Sequence, residues 1–213
     1  MLGQAAIAIW CDVDAQVRGE FDDWHAREHM PERLSIPGFL RGTRWVAAHG
    51  GPGYFILYEA LDEPTLSAGP YLEHLNSPTP WSRRMMPHHR NMVRSPCRVV
   101  ASFGQAWGEA LLTVRFSPRD PERLARRLAA ELLPGLAARK GLLAAHLLRN
   151  VGGADAPQTE EQKLRGGDAT ADWAVLVSGY DAAAVAGVEI DVPGCVAGHY
   201  RLAYVLSEAR HGA

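Results

Sequence analysis

Apolar residues alternate along residues 6–13, with Ile7, Ile9, Cys11 and Val13 on one side and Ala8 and Trp10 on the other. Both sides of this strand are largely apolar, as in a strand covered on two faces. The period then changes. Phe21, Trp24, His25, Glu28 and His29 fall at i, i+3, i+4, i+7 and i+8, the spacing of one helix face. The pattern predicts a helix over 17–30 and a short helical turn over 31–34, opened by Pro31 and closed by Pro37-Gly38. Strands are predicted at 39–48 and 54–60, joined by the Gly-Pro-rich turn 49–53. A less regular helix follows to about 75, then an irregular stretch 76–94, then a strand at 97–103. The order is β-α-β-β-α-β.

The same order recurs. Strands are predicted at 110–116, 141–149, 173–179 and 199–207, and helices at 121–133 and 181–188. A shift of 103 aligns Glu28 with Glu131, Pro31 with Pro134, Gly38 with Gly141 and Arg98 with Arg201. A shift of 119 aligns Tyr54 with Trp173, Leu57 with Leu176 and Asp62 with Asp181. The difference of 16 residues lies in 150–172, a Gly-, Asp-, Gln- and Glu-rich stretch expected to be an exposed loop without a functional role. Two such units are two ferredoxin-like folds. Their strands are apolar on both faces, so each sheet needs a cover, and the other half's sheet supplies it. The predicted architecture is α+β: two ferredoxin-like repeats packed sheet to sheet as a single-chain α/β barrel. Residues 1–104 form a first half carrying the candidate site, and 105–213 a second, mainly structural half.

Composition narrows the partners. The chain is 47% hydrophobic and 22% charged, with a net charge of -2 and no basic stripe. Nucleic acid is not an expected partner. No apolar run is long enough to span a membrane, and the start lacks the basic region of a secretory signal. Cys11, Cys97 and Cys195 are odd in number and lack metal-type spacing, so a reduced, cytoplasmic setting is expected. A homodimer stays open.

The stretch FDDWHAREHMPERLSIPGFLRGTRW, residues 21–45, resembles the first helix and second strand of the dimeric α/β barrel superfamily. It is most similar to the EthD-like members and the uncharacterised proteins near them, which share the aromatic, Glu-His, Pro and Pro-Gly-Phe run. The resemblance implies the barrel fold and a small organic ligand held between the sheet and the helices of one unit. Cofactor-free monooxygenases, cyclases, isomerases and haem enzymes all occur in that superfamily, so the reaction stays open.

The two halves act as an internal control. At the shift of 103, Trp24 becomes Arg127, His25 becomes Leu128, His29 becomes Leu132 and Arg33 becomes Leu136. Residues found only in the first half are the better candidates for chemistry. His29 is expected to carry a proton as general acid or base, with Glu28 orienting it. Trp24, His25, Arg33, Trp45, Tyr58, Trp81, Met85, His88 and His89 are expected to bind the ligand, with 81–89 folding over the cleft. His25-Ala-Arg-Glu28-His29 also spells the H-x-x-E-H of inverted zinc peptidases, but Pro31 follows at once, where those enzymes continue the helix, and the repeat explains this short chain without a peptidase. No metal or cofactor is assigned. The expected function is binding of a small, largely apolar organic molecule, with cofactor-independent acid-base chemistry of the cyclase, isomerase or monooxygenase type. A haem- or metal-dependent enzyme and a non-catalytic ligand-binding or assembly module are the competing classes.

Overall fold

The computed structural model describes residues 1–153 and 157–208. Residues 154–156 of the predicted loop and 209–213 at the end of the second half lie outside the described residues.

The first half runs β1 (Ala5–Val13), α1 (Arg18–Trp24), a π turn (His25–His29), α2 (Met30–Leu34), β2 (Phe39–His49) and β3 (Tyr54–Ala60). It continues through α3 (Gly69–Asn76) and α4 (Pro80–Met85) to β4 (His89–Phe103). The second half runs β5 (Ala110–Phe116), α5 (Pro121–Arg127), a π turn (Leu128–Leu132), α6 (Leu133–Ala138) and β6 (Leu142–Asn150). Then come α7 (Glu160–Arg165), β7 (Trp173–Gly179), α8 (Ala182–Ala186) and β8 (Val196–Ser207).

The eight strands form one closed barrel in the order β1-β3-β2-β8-β5-β7-β6-β4. Each half contributes four neighbours in the ferredoxin-like order. The sheets face each other, as expected, but they are also joined edge to edge by β2–β8 and β4–β6 pairing. Closure leaves no strand edge bare. Inside lie Trp10, Trp45, Phe55, Leu57, Leu111, Leu148, Leu176 and Tyr200. Outside, the helices pack on the two sheets in two further apolar clusters, each half on its own sheet except α7, whose Leu164 joins the first-half cluster. That is why strands such as β3 and β7 are buried along their whole length.

The register supports equivalent positions in the two halves. Phe39 pairs with Ala60 in the first half, and Leu142 with Gly179 in the second, at shifts of 103 and 119. Gly38 and Gly141 take φ of 93° and 91°, which glycine tolerates without strain, and both turn the chain from helix into strand. Their carbonyls accept from Leu61 at 2.8 Å and Tyr180 at 3.0 Å.

Three local readings are corrected by the structure. The segment 76–94 is not irregular throughout, because α4 and the start of β4 occupy much of it. The stretch 150–172 is not simply an exposed loop. It contains α7, opened by a Thr159–Gln162 capping box and closed at Gly166 with φ 83°. Ala169 then ties it to the first half, accepting from Arg94 and donating to Met92, both at 2.9 Å.

The third correction concerns helix phase. A π turn bonds i to i+5, so it spends one more residue than an α turn. The inner face therefore returns one position late. Beyond His25, the buried residues are His29, Met30, Arg33 and Leu34, while Glu28 is turned partly outward.

Candidate functional site

A cavity of about 30 Å³ lies between the first-half sheet and its helices. Its apolar wall comes from Ile7, Ile9, Ile56, Leu75, Met86 and Met92. Its polar wall comes from His25, His29, Arg33, Tyr58, Tyr71, His89, Arg94, Glu161 and Arg165, with Trp24 beside them. The space is large enough for a water molecule or a single small polar group. A larger ligand requires side chains to move, and Met86 and Met92 are the adaptable ones.

The helix delivers three of these groups. Trp24 anchors the face, donating from Nε1 to Ser82 Oγ at 3.2 Å. His29 stacks on Trp24 with ring centroids 4.4 Å apart. His25 Nε2 lies 3.1 Å from the Tyr58 hydroxyl. If Tyr58 donates, His25 Nδ1–H is left unmatched. If Nε2–H donates, the Nδ1 lone pair is left unmatched. His25 Nδ1 is buried without a partner in either case. His29 Nδ1 is likewise buried and unbonded, with Glu32 Oε2 at 3.7 Å the near carboxylate. His89 enters from the start of β4, its Nδ1–H donating to the Met86 carbonyl at 3.1 Å.

Burial sets the charge of these rings. It holds His25 and His29 well below the ordinary imidazole range, reinforced at His25 by the His29 ring and at His29 by the Arg33 guanidinium. His89 is pushed down to about 4, by burial first and by Arg165 second. All three imidazoles are neutral at pH 7, so each is a proton acceptor there and not a cation. Burial likewise pushes the Tyr58 hydroxyl well above its usual range, so it stays protonated.

The cations are arranged differently. Arg165 makes a bidentate pair with Asp168, at 3.0 and 2.8 Å. Arg33, only 2% exposed, donates from Nη2 to Glu161 of α7, while its Nη1, 3.5 Å from Glu32 Oε2, has no hydrogen-bond partner among the described residues. Arg94 donates from Nη2 to the Tyr71 hydroxyl at 2.5 Å. Among the described residues, no carboxylate lies within ion-pair distance of Arg94.

Of the residues expected at the site, Trp24, His25, His29, Arg33, Tyr58 and His89 line the cavity together. The others lie elsewhere. Glu28 does not reach His29; its Oε1 accepts from Thr79 Oγ1, the cap of α4, at 2.6 Å. Trp45 points into the barrel, donating to Thr43 at 2.9 Å, because its strand position has the opposite parity. Trp81 reaches outward to Glu20 at 3.1 Å. Met85 is buried in the helix-side core behind the cavity wall, and its neighbour Met86 lines the cavity instead. His88 pairs with Asp14 at 3.0 Å near the surface.

Sequence reasoning missed Tyr71, Arg94, Glu161 and Arg165. The last two were detectable: Thr159-x-x-Gln162 followed by Gly166-Gly167 spells a short capped helix. Arg94 was hidden because its stretch lacked a clear period. Among the described residues, no three His, Cys, Asp or Glu side chains gather in a way that could hold a metal ion.

No family model matches the chain, and no curated protein matches it significantly. Solved structures do. An anthrone oxidase-like protein superposes with a TM-score of 0.68 at 10% identity, over 100% of this chain and 96% of its own. The chain has the dimeric α/β barrel fold. A presumed monooxygenase from Fusobacterium nucleatum shares the barrel at TM-score 0.61 and 8% identity, over 98% of this chain and 96% of that one. Another from Lactobacillus acidophilus gives 0.59 and 11%, over 96% and 97%. These likenesses extend to the whole barrel, whereas the EthD-like resemblance rests on residues 21–45 alone. Among the described residues, no helix of the barrel is long and apolar enough to cross a membrane.

Proposed function

We propose that the first-half cavity binds a small organic molecule and moves a proton on it, without a metal or cofactor. One observation carries this reading. Three neutral imidazoles, His25, His29 and His89, line one cavity, and neither ring nitrogen of His29 has a hydrogen-bond partner among the described residues. A core histidine kept only for packing is ordinarily matched by a hydrogen bond. An unmatched, neutral ring beside a cavity is a base waiting for an acid.

His29 is the proton acceptor in this reading. Trp24 holds its ring by stacking, and the carboxylate beside it, at 3.7 Å, is Glu32 in place of Glu28. His25 and Tyr58 form a second donor–acceptor pair on the same wall. The guanidinium groups stabilise the negative charge that proton removal creates. Within the three chemistries considered, monooxygenation is favoured, because fold neighbours carry the names anthrone oxidase-like and monooxygenase.

The test uses 1,8-dihydroxyanthrone as probe. Under nitrogen in deuterium oxide, the wild-type protein should speed exchange of its acidic C–H protons, read by NMR. Under air it should speed dioxygen uptake and quinone formation. His29→Leu should lower the exchange rate by about 10²–10⁴-fold. Exchange no faster than in buffer, or unchanged by His29→Leu, sinks the proton-transfer reading.

A further inference from the structure

We infer that the molecule held in this cavity is an organic anion, a carboxylate or phenolate, and that Arg94 and the free Nη1 of Arg33 read its charge. The inference rests on the cavity being a ligand site and adds the class of ligand.

The charges on the wall are unevenly paired. Arg33, Arg94 and Arg165 line the cavity, and Glu161 is the carboxylate among them. Asp168 satisfies Arg165 from behind. Glu161 satisfies one side of Arg33. Among the described residues, the Arg94 guanidinium has only the Tyr71 hydroxyl and the face of its ring, 5.9 Å away. The imidazoles are neutral and supply no counter-charge. With Glu32 counted, three carboxylates accompany the three guanidinium groups, but among the described residues none of them lies within ion-pair distance of Arg94.

The donors are unfilled as well. Arg33 is 2% exposed, yet its Nη1 is buried without a hydrogen bond, the nearest carboxylate oxygen being Glu32 Oε2 at 3.5 Å. A buried guanidinium donor left open is costly unless something fills it. The cavity volume, about 30 Å³, suits a carboxylate group or a phenolate oxygen. The carbon body of the ligand would displace Met86 and Met92, whose side chains repack readily. Glu161 keeps a positioning role: through Nη2 it holds the Arg33 guanidinium in the wall while Nη1 stays available.

Calorimetric titration of the full chain with 2-naphthoate and its neutral analogue 2-naphthamide tests this. Wild type should prefer the naphthoate by about tenfold or more. Arg94→Met should erase the preference by weakening naphthoate alone, and Arg94→Lys should restore part of it. Among the described residues the Arg94 side chain bonds only to Tyr71, and its backbone bond to Ala169 is kept, so these variants should fold. Glu161→Gln, which removes a competing negative charge at constant size, should strengthen naphthoate binding several-fold and leave naphthamide unchanged. Equal binding of the two probes, or a naphthoate preference that survives Arg94→Met, overturns the anion inference while the cavity remains a ligand site. Binding of neither probe to wild type or Glu161→Gln overturns both the inference and the reading it rests on.

Discussion

The two halves share a frame and differ in what they place between helix and sheet. At matching positions the first half has His25, His29, Arg33, Tyr58 and Arg94 where the second has Leu128, Leu132, Leu136, Val177 and Ala197. The second-half interface is an apolar core of leucines, valines and alanines with Phe116 and Trp173. The first encloses a polar cavity with unmatched donors and acceptors. The π turn is present in both helices, so it belongs to the frame and not to the chemistry. The frame folds well with leucines in these places. The polar groups of the first half are therefore not required by the architecture.

That contrast can be tested by making the first half more like the second. Arg33→Leu should have the largest effect on stability. It installs the residue of the matching position but takes from the buried Glu161 its hydrogen-bonded cation, leaving only Arg165 at 3.6 Å, at a cost of about 2–4 kcal/mol. Adding Glu161→Leu should recover most of the loss, since replacing a whole buried pair by apolar groups is often neutral. Denaturant unfolding of the single and double variants measures both.

Acidification should come next. His25, His29 and His89 are neutral when folded and hold their pKa below the ordinary 6.5. Below pH 6.5 the unfolded chain takes up protons that the folded rings refuse, so stability falls with pH. The loss should run from about 6.5 towards about 4, where His89 begins to protonate in place, and stability should be full above 6.5. Melting temperatures across that range, with a flatter profile for His29→Leu than for wild type, would sharpen the assignment. A profile without slope would break it.

Single imidazole replacements rank lower. His25→Leu strands the Tyr58 hydroxyl and should cost about 1–3 kcal/mol. His29→Leu strands no hydrogen-bond partner and should stay within about 1 kcal/mol of wild type while losing proton transfer. A large loss of stability in that variant, with exchange unchanged, would mark His29 as structural.

Much of the frame was legible in the chain. Strands apolar on both faces demanded cover on both sides, and Gly38 and Gly141 marked the same turn twice. The helix face carrying Trp24, His25 and His29 followed from spacing alone. The misreadings share physical causes. Strands buried on both faces do not announce parity, so Trp45 was assigned to the wrong side. An α-helical period cannot anticipate a π turn, so Glu28 was placed where Glu32 and Arg33 now stand. Polarity suggested a loop at 150–172, although the contact that matters there is a single carboxylate meeting a guanidinium 128 residues away in the chain.

The two seams of the barrel also decide what would happen to a chain divided in the linker between β4 and β5. Each piece would carry two unpaired strand edges and one bare apolar sheet face. Such pieces associate with whatever offers matching edges. Mixed together, they can rebuild this barrel. Left alone, the first piece could close only on its own copy, in a symmetric ring with two histidine-lined cavities. Both would lack Glu161, which arrives solely with the other piece. The seams thus hold the strands together and also keep a second-half carboxylate against a first-half arginine.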